Sequence, residues 1–237
     1  MADNPAVTAV MITGKTPERY PIAFAAVESF LNQTYEGPKQ LLIINDNPIP
    51  LYQDKSKIPP NVVEVAVPPA TSLGALRNIA FEHVTTGLVV QWDDDDFSRP
   101  NRLKYQIAAT PPGTVSVLKW QIQYDLVTGK HCAGCGRVSG VGGFPGTMIF
   151  PADLKLRFPD KAKGEDSDFL KELRNTMHIV RLDNMPQYYI HLCHANNTWH
   201  REHVMRWRPG SRRLTAKELR DLRFTANKYY AWAVQPQ

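Results

Sequence analysis

Cysteine is scarce: 3 of 237 residues. Cys132, Cys135 and Cys193 are too few for a disulfide framework. Cys132 and Cys135 form a C-x-x-C preceded by His131, but a zinc site needs four ligands. The other candidates (His191, Cys193 and His194) lie far along the chain, so free thiols are expected. No apolar run approaches the roughly 18 residues that span a bilayer. Met1 to Pro5 lacks the basic-then-apolar layout of a secretion signal, so the expected location is cytoplasmic. No G-x-G-x-x-G follows the first apolar run and no G-x-x-x-x-G-K-[ST] occurs anywhere. Dinucleotide and P-loop phosphate binding are both unsupported. Internal repeats and low-complexity segments are lacking too.

What remains is an ordinary globular composition, 43% hydrophobic and 22% charged, long enough for one full α/β core with an appendage. Its charge is uneven. Trp199 to Lys228 carries nine Lys/Arg and three Asp/Glu, whereas the remaining chain is close to neutral.

The first hundred residues alternate apolar runs with helical periodicity. Residues 6–13, 41–44, 62–67 and 88–90 read as strands, and 21–33 and 72–80 as helices, the second capped by Ser72 and stopped by Gly87. Polar groups gather where the strands end, the pattern of an open, mostly parallel sheet that binds ligands beyond its carboxyl edge. A helix over 99–109, a strand over 115–124, a hairpin-like turn at 125–130, a strand over 147–150 and a helix from Lys163 to about Asn175 are expected next.

The fourth strand delivers Asp93, Asp94, Asp95 and Asp96 in a row. Four adjacent carboxylates are either a solvated acidic turn or an oxygen-ligand site for Mg²⁺ or Mn²⁺. In an extended segment Asp93 and Asp95 project to one side and could share a ligand. Asp94 and Asp96 are expected to be solvated or to cap the next helix, Asp94 most of all. Glu165, Asp166 and Asp168 open a later helix, where acidic residues are favoured by the dipole or serve as acid and base groups.

In this order the pieces resemble the family 2 glycosyltransferases of the GT-A fold, over about residues 6 to 200. Leu31-Asn-Gln-Thr-Tyr35 resembles that family's Gln-Thr-Tyr helix end, and Ser72-Leu-Gly-Ala-Leu-Arg-Asn78 its Arg-Asn helix. Gln91-Trp-Asp-Asp-Asp-Asp96 resembles the D-x-D motif, Gly164-Glu-Asp-Ser-Asp-Phe169 the E-D motif, and His194-Ala-Asn-Asn-Thr-Trp199 the late His segment. Asn45 departs from the pattern, which usually has an Asp there.

The resemblance implies an inverting, metal-dependent transfer of a sugar from a nucleotide-sugar, a UDP-sugar first, to an acceptor hydroxyl. It assigns Asp95, with Asp93 and His194, to Mn²⁺ or Mg²⁺; a hydrogen-bonded core histidine is the other reading of His194. It assigns Thr13, Asp46, Arg77 and Asp93 to the donor, against a simple turn for Asp46 and a surface ion pair for Arg77. Asp166 becomes the base and Glu165 orients the acceptor, while Asp168 stabilises the helix start.

Residues 201–237 form a basic, aromatic-containing helical extension to the domain of residues 1–200. Thr215 to Glu218 is a capping box that starts its helix. Trp199, Arg206, Arg208, Arg212 and Arg213 are expected to meet a polyanionic acceptor: DNA carrying a modified base, or an anionic membrane surface with a lipid-linked or surface glycan. A solvated basic helix face explains the same charges. The non-enzyme alternative is a nucleic-acid-binding protein on a degenerate transferase fold.

Overall fold

The computed structural model describes residues 4–14, 17–69, 72–84, 87–136, 142–205 and 210–231. The main sheet holds β1 (Val7–Thr13), β2 (Lys39–Asn45), β3 (Val62–Ala66), β4 (Leu88–Gln91), β6 (Val115–Leu118), β9 (Ile149–Pro151) and β10 (Ile179–Leu182). Their spatial order is β10-β6-β9-β4-β1-β2-β3, parallel except for β9. The smaller sheet, in the order β5-β11-β7-β8, holds β5 (Asp96–Ser98), β7 (Trp120–Asp125), β8 (His131–Cys135) and β11 (Tyr189–Cys193).

The unbroken apolar runs of β1 and β2 have a simple cause: both faces of the main sheet are covered. Side chains alternate across a strand. Val7, Ala9 and Met11, with Leu41 and Ile43, therefore meet Ala23, Ala26, Val27 and Phe30 of α1 (Tyr20–Leu31). Val10, Leu42 and Ile44 join the core on the opposite face, which holds Leu76 and Ala80 of α2 (Leu73–Glu82) and Phe169, Leu170 and Leu173 of α4 (Glu165–Thr176). Phe30 is fully buried, and truncating it to alanine costs about 3–5 kcal/mol.

The expected single strand over 115–124 is two. The chain breaks at Lys119 and passes from one sheet to the other, so β6 and β7 share one alternating stretch of sequence but no partners. The helix expected over 99–109 is α3 (Arg102–Ala108), and the turn at 125–130 joins the antiparallel β7 and β8.

After the four-residue α5 (Arg201–Val204), α6 (Ala216–Tyr229) starts at the expected capping box, with Thr215 accepting from the Glu218 backbone and Glu218 from that of Thr215. Leu222, Ala226 and Tyr230 enter a core with Phe97, Ile122 and Ile190 of the smaller sheet and with Ile22 and Ala25 of α1. Arg212 and Ala133 exchange backbone hydrogen bonds, fixing the segment ahead of α6 to β8. No helix among the described residues is long and apolar enough to cross a membrane.

Candidate active site

A cleft of about 320 Å³ opens beyond the carboxyl ends of β1, β2 and β4. Thr13 and Gly14 continue from β1 into its wall, Asp46 follows β2, and Asp93 to Asp95 follow β4. The acidic turn is where the chain changes sheets, leaving β4 at Gln91 and entering β5 at Asp96. Trp92 anchors it, donating from its indole to the Ala26 carbonyl at 3.0 Å and packing edge-on against Phe30.

The four aspartates alternate. Asp93 and Asp95 are half-buried, whereas Asp94 and Asp96 are buried; Asp93, Asp94 and Asp95 border the cleft and Asp96 does not. The solvated or helix-capping role expected for Asp94 and Asp96 is therefore corrected. Asp94 accepts from the Thr13 hydroxyl (2.9 Å) and pairs with Arg19. Asp96 accepts from Tyr189, from His191 (2.9 Å) and from the Leu192 backbone (2.9 Å), tying the turn to β11. Asn101, not an aspartate, precedes α3. Each inward carboxylate has fixed partners, which is how a folded chain tolerates four acids in sequence.

Arg19 is the cleft residue that the sequence concealed. Its buried guanidinium meets Asp94, reaches Asp95 at 3.0 Å, and donates to the Asn196 carbonyl at 2.7 Å. It thus joins the turn after β1, the acidic turn and the segment after β11. Its partners are at least 75 positions away in sequence, so no local spacing points to it.

Asp95 also accepts from His194 Nε2 (3.3 Å) and from Asn197 (3.3 Å). Burial opposes its ionisation, but Arg19, His194 and His191 outweigh burial and hold the carboxyl below its ordinary range. The Asn196 backbone N–H points at His194 Nδ1 (3.2 Å), which leaves the proton of a neutral ring on Nε2, facing Asp95. The His191 pKa is raised to about 9: burial works against protonation and the Asp96 carboxylate prevails.

Across the cleft, Gly164 in a left-handed conformation turns the chain into α4. Glu165 is buried against Arg77 (3.1 Å), whose other end reaches Asp93 at 3.2 Å. Arg77 thus sits inside a bridge between the two acidic ends of the cleft. Asp166 is half-buried beside them, raised to about 6 by burial and by the neighbouring Glu165 charge, with Arg77 opposing. Asp168 points away to Lys161 and Lys171, which hold it down at about 2.

Asp46 is half-buried at the cleft wall. Gly14 must be glycine there, because a Cβ would stand 2.1 Å from an Asp46 carboxylate oxygen at a φ of +143°. Asn45 lies behind Asp46, buried and donating to Glu64 at 2.7 Å.

Trp199 lies at the mouth, 43% exposed and stacked on His203 with ring centroids 4.4 Å apart. Arg212 makes a two-pronged bond to Glu218 (2.8 and 2.7 Å), so its charge is committed within the fold, and Arg213 is exposed. Arg206 and Arg208 lie outside the described residues. All three cysteines are free and buried, with Cys132 bonded to Gln123.

Six carboxylates line the cleft (Asp46, Asp93, Asp94, Asp95, Glu165 and Asp166) against Arg19, Arg77 and Lys163. The charge of His191 is answered by Asp96 behind it. Among the described residues no three His, Cys, Asp or Glu side chains converge as a complete protein cage for a metal. Mg²⁺ and Mn²⁺ need no such cage when one or two carboxylates and substrate phosphates supply the oxygens. The donor set fits that case: an excess of acid facing the cleft, with Asp95 kept ionised.

No family profile matches the sequence, and neither does any curated protein. Solved structures do match its fold. TarS 1–349 of S. aureus in complex with UDP-GlcNAc superposes with a TM-score of 0.62 at 16% identity, over 95% of this chain and 67% of that one. TarS 1–349 alone gives 0.60 at 17%, over 79% and 60% of the two chains. The mannosyltransferase PcManGT from Pyrobaculum calidifontis, in complex with GDP-Man and Mn²⁺, gives 0.56 at 13%, over 81% and 57%. The chain thus spans less than two thirds of the length of two of these three structures. It has the fold of the family 2-like GT-A glycosyltransferases.

Proposed function

We propose that this GT-A chain is an inverting glycosyltransferase that moves a sugar from a nucleotide-sugar, a UDP-sugar in the first instance, to an acceptor hydroxyl. The observation that carries the reading is a pair of unlike carboxylates facing one cleft. Asp95 is held ionised by Arg19, and Asp166 is raised to about 6. Environments that push two acids apart separate a charge-binding role from a proton-accepting one.

In this reading Thr13 and Asp46 form the nucleoside end of the cleft, and Asp93 and Arg77 its middle. Asp95, with Asp93, would hold Mn²⁺ or Mg²⁺, which when bound supplies positive charge against the donor diphosphate. His194 steadies Asp95 by its hydrogen bond. Asp166 accepts the proton of the acceptor hydroxyl. The hydroxyl oxygen bonds to the anomeric carbon from the face opposite the nucleotide, and the broken C–O bond leaves its electron pair on the diphosphate. One displacement of this kind inverts the anomeric centre. Glu165, fixed by Arg77, keeps Asp166 on the acceptor side. The acceptor we favour is a modified base in DNA, approaching past Trp199; surface or lipid-linked glycans are the competing class.

Thermal shift with a panel of nucleotide-sugars, with and without Mn²⁺, tests the reading, since a ligand of the native state raises the melting temperature. Stabilisation by one nucleotide-sugar only with Mn²⁺, and slow release of its sugar to water, is the expected result. A panel that leaves the melting temperature unchanged in both conditions would overturn the proposal.

A further inference from the structure

One face of α6 takes no part in the cleft or the core. At helical spacing Lys217, Arg220, Phe224 and Lys228 fall on a single line. All four are exposed, and Phe224, at 71%, is the most exposed large hydrophobic side chain among the described residues. Arg223 and Asn227 flank them, also exposed. The two acids of the helix do not offset this face. Glu218 is held by Arg212, and Asp221 by Arg99 at 3.4 Å. Lys228 donates to the neighbouring Tyr229 hydroxyl at 2.9 Å, which leaves its charge unneutralised, and reaches an exposed Glu28 at 3.8 Å. The result is a row of cations about 16 Å long, at a rise of about 1.5 Å per residue, with one bare aromatic ring inside it.

We propose that this face binds a polynucleotide, its cations on the phosphates and Phe224 stacked on an unpaired base. Charge complementarity requires a polyanion, and the lone ring selects among polyanions. Anchoring on an anionic bilayer needs apolar area as well as charge. α6 has spent its apolar side internally, with Leu222, Ala226 and Tyr230 buried against the smaller sheet. One phenylalanine is little to insert in a membrane but sufficient to stack on a base. Arg212, paired with Glu218, is not part of this face. The inference is compatible with a DNA acceptor but rests on the α6 surface alone.

The test is anisotropy of a labelled oligo(dT) 20-mer titrated with the full chain at several salt concentrations. Lys217→Ala with Arg220→Ala should weaken binding about tenfold or more at low salt and flatten the salt dependence by between one and two released ions. Phe224→Ala should weaken it by about 5- to 100-fold, as loss of one stacked base does, with the salt slope unchanged. None of these side chains is buried, so the variants should keep the wild-type melting temperature.

Failure of the wild-type chain to bind oligo(dT) would overturn the proposal. So would variants that bind as tightly as wild type, or retention by phosphatidylserine vesicles without oligo(dT) binding. Sugar release from the donor, measured on the same variants, should be unchanged. Its presence or absence reports on the transferase reading separately.

Discussion

Arg77 and Glu165, 88 positions apart in sequence, meet through a buried bond of 3.1 Å between Nε and Oε1. The other end of the same guanidinium holds Asp93, so one cation sits between the two acidic ends of the cleft. Removing one partner of a buried pair strands the other in low dielectric, at a cost of about 3–5 kcal/mol. Arg77→Ala should therefore lower the unfolding free energy measured by urea denaturation by an amount of that order. Arg77→Lys, which keeps the charge but cannot serve two carboxylates with planar geometry, should recover only part.

Asp95 and Asp94 share Arg19 but differ in exposure and in their other partners, and their asparagine or alanine variants should separate. Changes to groups that merely support a metal ligand already cost about 10- to 100-fold in affinity. Asp95→Ala, which removes the cleft-facing carboxylate itself, should lose at least about 100-fold in Mn²⁺ binding measured by EPR titration, together with donor hydrolysis. Asp94→Asn leaves Arg19 its contact with Asp95 and should keep Mn²⁺ affinity within several-fold. Equal losses in the two variants would remove the division of roles.

The raised Asp166 carboxyl gives two pH signatures of opposite sense. As a base it must be ionised, so kcat/KM should rise about tenfold per pH unit below 6 and level off above it. For stability the sign reverses. A carboxyl raised from 3.8 to about 6 by folding holds its proton more tightly in the native state. Its stabilising contribution is complete below 3.8 and is lost as pH rises through 6. At pH 7.5 the ionised group costs the fold about 1–3 kcal/mol. Asp166→Asn should abolish transfer yet raise the melting temperature at pH 7.5, with little gain at pH 4.

The parallel half of the fold was legible because its strands are buried on both faces and read as plain apolar runs between capped helices. β8 and β10 were not, since His131-Cys-Ala-Gly-Cys135 and the part-exposed Ile179 to Leu182 carry neither a continuous run nor a clear alternation. In the cleft, Asp93 and Asp95 are the half-buried pair of the four, but strand geometry is not the cause: β4 ends at Gln91, and Asp94 and Asp95 lie in the turn before β5. Arg19 was not legible, because its contacts exist only once three distant segments meet. Asp96 was misread for the same reason: Tyr189 and His191, its partners, lie 93 and 95 positions on.

Gly74 sets two local rules against each other. It occupies the first turn of α2, where alanine would favour the helix by about 1 kcal/mol. Yet a Cβ there would stand 1.9 Å from the Pro159 carbonyl oxygen, a backbone atom that cannot turn aside. The 158–161 segment is tied to α2 on both sides of that point. Asn78 exchanges 2.9 Å bonds with both backbone groups of Phe158, Ser72 meets Asp160, and the Gly74 N–H reaches the Lys161 carbonyl at 3.1 Å. The same segment leads directly into Glu165 and Asp166. Overpacking of this kind costs about 1–3 kcal/mol, more than the helix gains. Gly74→Ala should therefore lower stability in urea and, by displacing the start of α4, reduce kcat more than donor affinity measured by calorimetry. A stabilised variant with unchanged kcat would mean that the 158–161 segment yields freely and does not hold Asp166 in place.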